Sequence, residues 1–167
     1  TDLVVKAERD LWNMPETGYF EYKTNAYMIN AFEQMGYELT KAENITGFYT
    51  VVDTGKPGPT VLVLAELDAL ICPTHPECDK ETGAVHCCGH HVQCATMLGI
   101  ASALKEKEVL EGLCGKIKLC VVPAEEGIEI EQMNLGGGYG IKYVPEDNPI
   151  DYDAYIDAVS KVVKKVA

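Results

Sequence analysis

The sequence predicts an α/β domain whose sheet is at least partly parallel. Two near-continuous apolar runs of strand length, residues 60–67 (TVLVLAEL) and 115–122 (GKIKLCVV), have the composition of strands covered on both faces. Between them, residues 92–104 form a strong helical pattern. Strands that alternate with helices in this way are the mark of an α/β domain.

The elements follow in order along the chain. From Asp2 to Met14, the residues Leu3, Val4, Ala7, Leu11 and Trp12 recur at helical spacing, and Pro15 ends that helix. The segment PETGYFEYKT reads as a loop. Thr24 is placed to cap a second helix, with Ala26, Ile29, Phe32 and Met35 down one face and Gly36 at its end. Short β-prone runs follow at residues 37–40 and 47–53, the latter closed by the turn GKPGP. Residues 68–90 form a long loop rich in Pro, Cys, His and Gly, and such a loop inside a compact domain is usually functional or disordered. In the helix of residues 92–104, Ala95, Leu98, Gly99, Ala101 and Ala103 suit close packing. After the strand at 115–122 comes Pro123-Ala124-Glu125-Glu126-Gly127. Residues 135–148 read as a glycine-rich loop and residues 152–166 as a terminal helix, with Lys161, Lys164 and Lys165 where the helix dipole favours cations.

At 167 residues the chain fits a single domain, and 47% apolar with 24% charged residues is ordinary for a globular protein. No apolar run approaches the ~20 residues of a membrane span. The charges interleaved through TDLVVKAERDLWNM mean that this segment does not read as a signal or transit peptide. A net charge of −12 argues against a nucleic-acid partner, which needs a basic face. Seven cysteines, two of them adjacent, make a poor disulfide framework. They suggest a reducing, cytoplasmic setting in which thiols serve as core residues and at least one as a metal ligand.

Three features carry potential chemistry. The densest is His86-Cys87-Cys88-Gly89-His90-His91: three of the chain's four histidines fall within six residues, beside two cysteines. Imidazole and thiolate are preferred ligands of zinc and similar ions, so this spacing points to a metal site, structural or catalytic. Cys72 and Cys78 are available to complete a structural Cys/His set, although neither belongs to a CxxC pair. A redox role for Cys87-Cys88 is disfavoured, because adjacent cysteines form strained disulfides. The second feature is the Glu125-Glu126 pair just past a buried strand, where one carboxylate can bind metal while the other moves protons. The third is Glu66 and Asp68 at the end of the 60–67 strand. Either is placed to bind a metal, Asp68 is equally placed to orient a ligand histidine, and a plain strand-end turn aspartate accounts for it as well. Both chemically rich loops lie at the C-terminal ends of strands, where α/β sheets collect functional groups.

In collinear order, LWNMPETGYFEYKT, AELDAL, GAVHCCGHHVQCATMLGIASAL and VVPAEEG resemble the aminoacylase/carboxypeptidase family of metal-dependent amidohydrolases and peptidases, with its aminobenzoyl-glutamate, hippurate and auxin-conjugate hydrolases. The resemblance covers roughly residues 11–127. It implies a zinc-exopeptidase-like three-layer sandwich with a mixed, largely parallel sheet, and one or two divalent metals, zinc or manganese. By position, Cys88, His90 and Glu126 are similar to metal ligands, Cys88 being the group that bridges two metals. Glu125 resembles the general base and Asp68 the orienting aspartate. The common pattern is CGHD followed by a histidine. Here His91 and Gln93 stand at those two places, as in a branch near aminobenzoyl-glutamate hydrolase.

The resemblance also implies three histidines downstream, and none follows His91. The chain therefore resembles a shortened member without the lid (dimerisation) domain. The implied substrate is an N-acyl amino acid or small peptide. The alternative is a non-enzymatic module that kept the fold and a metal. Sheet edges left open by such shortening would favour a homo-oligomer.

Overall fold

In the computed structural model, residues 2–123 are described. Helix α1 (Asp2–Trp12) opens the chain and buries Ala7 and Leu11. Helix α2 (Tyr22–Gln34) buries Thr24, Met28 and Phe32. Strands β1 (Thr40–Lys41), β2 (Phe48–Asp53) and β3 (Thr60–Glu66) follow. The long loop holds a two-residue hairpin, β4 (Leu70–Ile71) with β5 (Ala84–Val85), before helix α3 (His90–Ala103). A short helix α4 (Lys107–Glu111) leads into β6 (Lys116–Val122).

The main sheet has the order β1-β2-β6-β3. Strand β6 runs parallel to β3, with Glu66 opposite Val122, and antiparallel to β2. The sheet is thus mixed, as expected, although among the described residues two of its three strand pairings are antiparallel rather than parallel. The parallel pair is the one joined through α3, because parallel strands need a long crossover. Side-chain alternation sends Phe48, Ala65, Ile117, Leu119 and Val121 into one core with the helices. Tyr49, Val51 and Lys118 lie on the opposite face, where Val51 is exposed and Lys118 stands over the Tyr49 ring. Among the described residues the helices stand on one side of the sheet, so these residues supply two layers.

Helix α3 is the centre of the packing. It contacts β3, β6, α1 and α2. Its small residues serve the purpose read from the sequence: a Cβ on Gly99 would lie 2.8 Å from Val4 Cγ2, so glycine lets α1 lie close.

Two local expectations are corrected. Thr24 is not a cap but sits inside α2, buried, with its hydroxyl donating to Met14 O. The open amides of that helix's first turn are met from a distance. The Glu16 carboxylate accepts from the N–H groups of Lys23 and Thr24 at 2.8 and 2.9 Å, a capping device that a local sequence rule does not find. Helix α3 begins at His90 rather than at residue 92. Gly89, at φ +95°, takes the left-handed turn that swings the chain directly into the helix.

Candidate metal centre

Strand β3 ends at Glu66 and the chain continues to Asp68, so both carboxylates stand at the C-terminal end of a sheet strand. After the hairpin loop, the turn at Gly89 sets His90 as the first residue of α3. The two ends meet. His90 Nδ1 lies 2.9 Å from Asp68 Oδ1, and Nε2 lies 3.1 Å from Glu66 Oε2. Glu66, Asp68 and His90 each present one ligand atom within 4.8 Å of the other two. Their side chains are 14–18% exposed, shielded yet reachable.

A carboxylate on each side of the ring is a strongly cation-seeking environment. The hydrogen bond that the ring donates to Asp68 first, and the neighbouring Cys88 second, push the His90 pKa up to about 11. A proton on this ring and a divalent cation are therefore rivals for one position. Donors of oxygen and imidazole type suit zinc or manganese, so the residues present fit a divalent metal.

The other expected residues divide. Cys88 is exposed, with its sulfur 4.0 Å from the Asp68 carbonyl oxygen, at the rim of the cluster. Cys72 and Cys78 bond within their own loop, to Thr74 and to the Pro73 carbonyl, apart from the carboxylate–imidazole group. Glu125 and Glu126 lie outside the described residues.

His86 and His91, read from the sequence with His90 as one dense motif, turn the other way. Both are buried, with ring centroids 5.4 Å apart, and His91 also packs edge-on to Trp12 at 5.1 Å. His91 Nε2 faces Glu8 of α1 at 3.4 Å, whereas among the described residues neither ring nitrogen of His86, nor Nδ1 of His91, makes a hydrogen bond of good geometry. Burial, and then the neighbouring His91, push the His86 pKa down to about 4. Burial likewise lowers His91.

That sign has a consequence for acid stability. A histidine held neutral in the fold but protonated when unfolded contributes stability that is present above pH ~6.5 and lost as pH falls toward ~4. His90 works in the opposite direction above pH ~6, where it is protonated in the fold but increasingly neutral when unfolded, and adds little slope below that. Urea denaturation at pH 6 and pH 5 is expected to show a lower midpoint at pH 5. The His86→Phe variant is expected to narrow the gap, and an unchanged gap would exclude His86 as its source.

Two contributors were not visible as site residues in the sequence. Gln93 Oε1 accepts the backbone N–H of Glu66 at 3.2 Å, and the Cys94 thiol donates to the Glu66 carbonyl at 3.1 Å. Their spacing of three and four from His90 was the available signal, since it places all three on one helical face.

Comparison with known proteins gives two kinds of match. Residues 90–167 match the profile of a pyridoxal-dependent decarboxylase, pyridoxal binding domain, which takes in less than half of the chain. Matches of longer reach are to amidohydrolases and peptidases. The chain is 31% identical to N-acetyl-L-cysteine deacetylase of Bacillus subtilis, over 93% of this chain and 35% of that protein. It is 30% identical to thermostable carboxypeptidase 1 of Saccharolobus solfataricus, over 90% of this chain and 38% of that protein. Among solved structures, a dinuclear metal-binding peptidase of the M20 family from Bacillus subtilis superposes with a TM-score of 0.63 at 27% identity, over 73% of this chain and 34% of that one. The chain spans little more than a third of the length of these relatives.

Proposed function

We infer the function from one premise: the chain belongs to the M20 family of amidohydrolases and peptidases, whose N-terminal part it matches. The reading supported best is a metal-dependent hydrolase of the amide bond in N-acyl amino acids or small peptides. The observation that carries it is the meeting of His90 with Glu66 and Asp68 at a strand's C-terminal end.

With Nδ1 engaged by Asp68, His90 offers Nε2 as the ligating atom, on the side that faces Glu66. Glu66 and His90 would hold the ion, zinc in our proposal, with Cys88 at the rim and Glu126 added from the second loop. Asp68 fixes the tautomer and raises the basicity of the imidazole. When bound, a divalent metal polarises a scissile carbonyl and brings the pKa of a coordinated water to about 7. Glu125 would move the proton from the attacking water to the leaving amine. All seven cysteines are free thiols, which supports a reducing, cytoplasmic setting. Strand β3 stands at the edge of the sheet among the described residues, which supports self-association.

The test is hydrolysis of a panel of N-acetyl amino acids by the zinc-loaded chain. Turnover is expected, abolished in Glu125→Gln with metal content unchanged. Equal loss of metal in that variant would show that the two glutamates have exchanged roles. Metal binding without any hydrolysis would favour the non-enzymatic module.

A further inference from the structure

Strand β3 has only one sheet neighbour among the described residues, β6. The N–H of Leu67 donates to Val122 O, toward β6. Alternation along the strand then turns the N–H and C=O of Glu66 the other way, toward the open edge. Strand pairing satisfies neither group. Both are taken by side chains of α3: the Gln93 amide oxygen receives the N–H at 3.2 Å, and the Cys94 thiol donates to the carbonyl at 3.1 Å.

His90, Gln93 and Cys94 are i, i+3 and i+4 on one helix, so a single helical face grips a single residue of the strand. Two members hold the Glu66 backbone and the third meets its carboxylate at 3.1 Å. The side-chain ligand and the main-chain clamp are thus one rigid unit, in which the placement of the carboxylate relative to His90 Nε2 is set by bonds to the backbone from which it springs. Cys94 is fully buried, and burial pushes its thiol pKa up, so it remains a protonated donor.

We propose that Gln93 is a positioning residue for the metal site, fixing the Glu66 carboxylate opposite His90 by holding the Glu66 backbone N–H at the open edge of β3, with Cys94 securing the carbonyl of the same residue. The proposal rests on the metal-site reading above. It differs from simple edge capping in what it expects of metal affinity.

The test is calorimetric titration of the full chain with zinc ion, for the wild type, Glu66→Gln, Gln93→Leu and Gln93→Glu. Gln93→Leu keeps the bulk and removes the acceptor, whereas Gln93→Glu keeps an acceptor oxygen at the same reach. Removal of a group that orients a metal ligand typically weakens affinity by roughly 10–100-fold. Gln93→Leu is expected to fall in that range, with faster amide exchange at Glu66 and a melting transition of the metal-free protein moved by no more than a few degrees. Gln93→Glu is expected to retain both the affinity and the protection of that amide. Gln93→Leu that binds zinc as the wild type does, while Glu66→Gln does not, would overturn the positioning role and leave the site intact. A wild type that binds no zinc, or a Glu66→Gln variant that binds it unchanged, would overturn the site itself and the proposal with it.

Discussion

Replacing His90 with alanine is expected to weaken zinc binding by more than about a hundredfold, beyond the effect typical of outer-shell partners. Among the described residues the ring is the only nitrogen donor in the cluster and the one group that touches both carboxylates. Without it, Glu66 and Asp68 lose the cationic partner that holds them together in the metal-free state, and the ion loses its preferred imidazole ligand. The informative comparison is His91→Ala, one residue along. His91 belongs to the same sequence motif but turns toward Trp12 and Glu8, so its loss should cost stability and leave zinc affinity within roughly tenfold. Titration of both variants decides the matter. A severe loss in His91→Ala with little change in His90→Ala would reverse the assignment.

Phe32→Ala is expected to destabilise the fold by about 3–5 kcal/mol. Phe32 is fully buried, with its ring 5.2 Å from that of Phe48 and 5.4 Å from that of Tyr37. It therefore joins α2 to β2 and to the segment whose Tyr37 hydroxyl donates to Ala101 O on α3 at 2.7 Å. Against a typical total of 5–15 kcal/mol, such a loss leaves a domain of this size barely folded. Phe20→Ala is the control. Phe20 is 62% exposed, and its removal should change stability by no more than about 0.5 kcal/mol. Urea unfolding of both variants, with equal losses, would refute this account of the core.

Much of this arrangement could be read from residue order. The apolar run at residues 60–67 became β3, that at 115–122 became β6, and the two pair in parallel across α3, as their composition implied. What stayed hidden depended on distant partners. Thr24 had the chemistry of a cap, but Glu16, eight residues earlier, met the helix amides instead. The six-residue His/Cys motif looked like one site. Entry into α3 at Gly89 divides it, because successive helical residues point about 100° apart: His90 faces β3 while His91 faces α1. Residue order sets Glu66 beside Asp68 but does not separate ligand from orienter. The register that puts its carboxylate at His90 Nε2, and Asp68 at Nδ1, exists only once β3 and α3 have docked.

The contact between Trp12 and His91 also makes the protein its own indicator. The chain has a single indole, set against the ring that follows His90. A charged imidazolium quenches indole emission more strongly than a neutral ring does. The intrinsic fluorescence of the unlabelled chain is therefore an optical record of events at the first turn of α3, an acid titration of His91 or the arrival of an ion one residue away, together with events at His75, whose ring also lies edge-on to Trp12 at 6.3 Å.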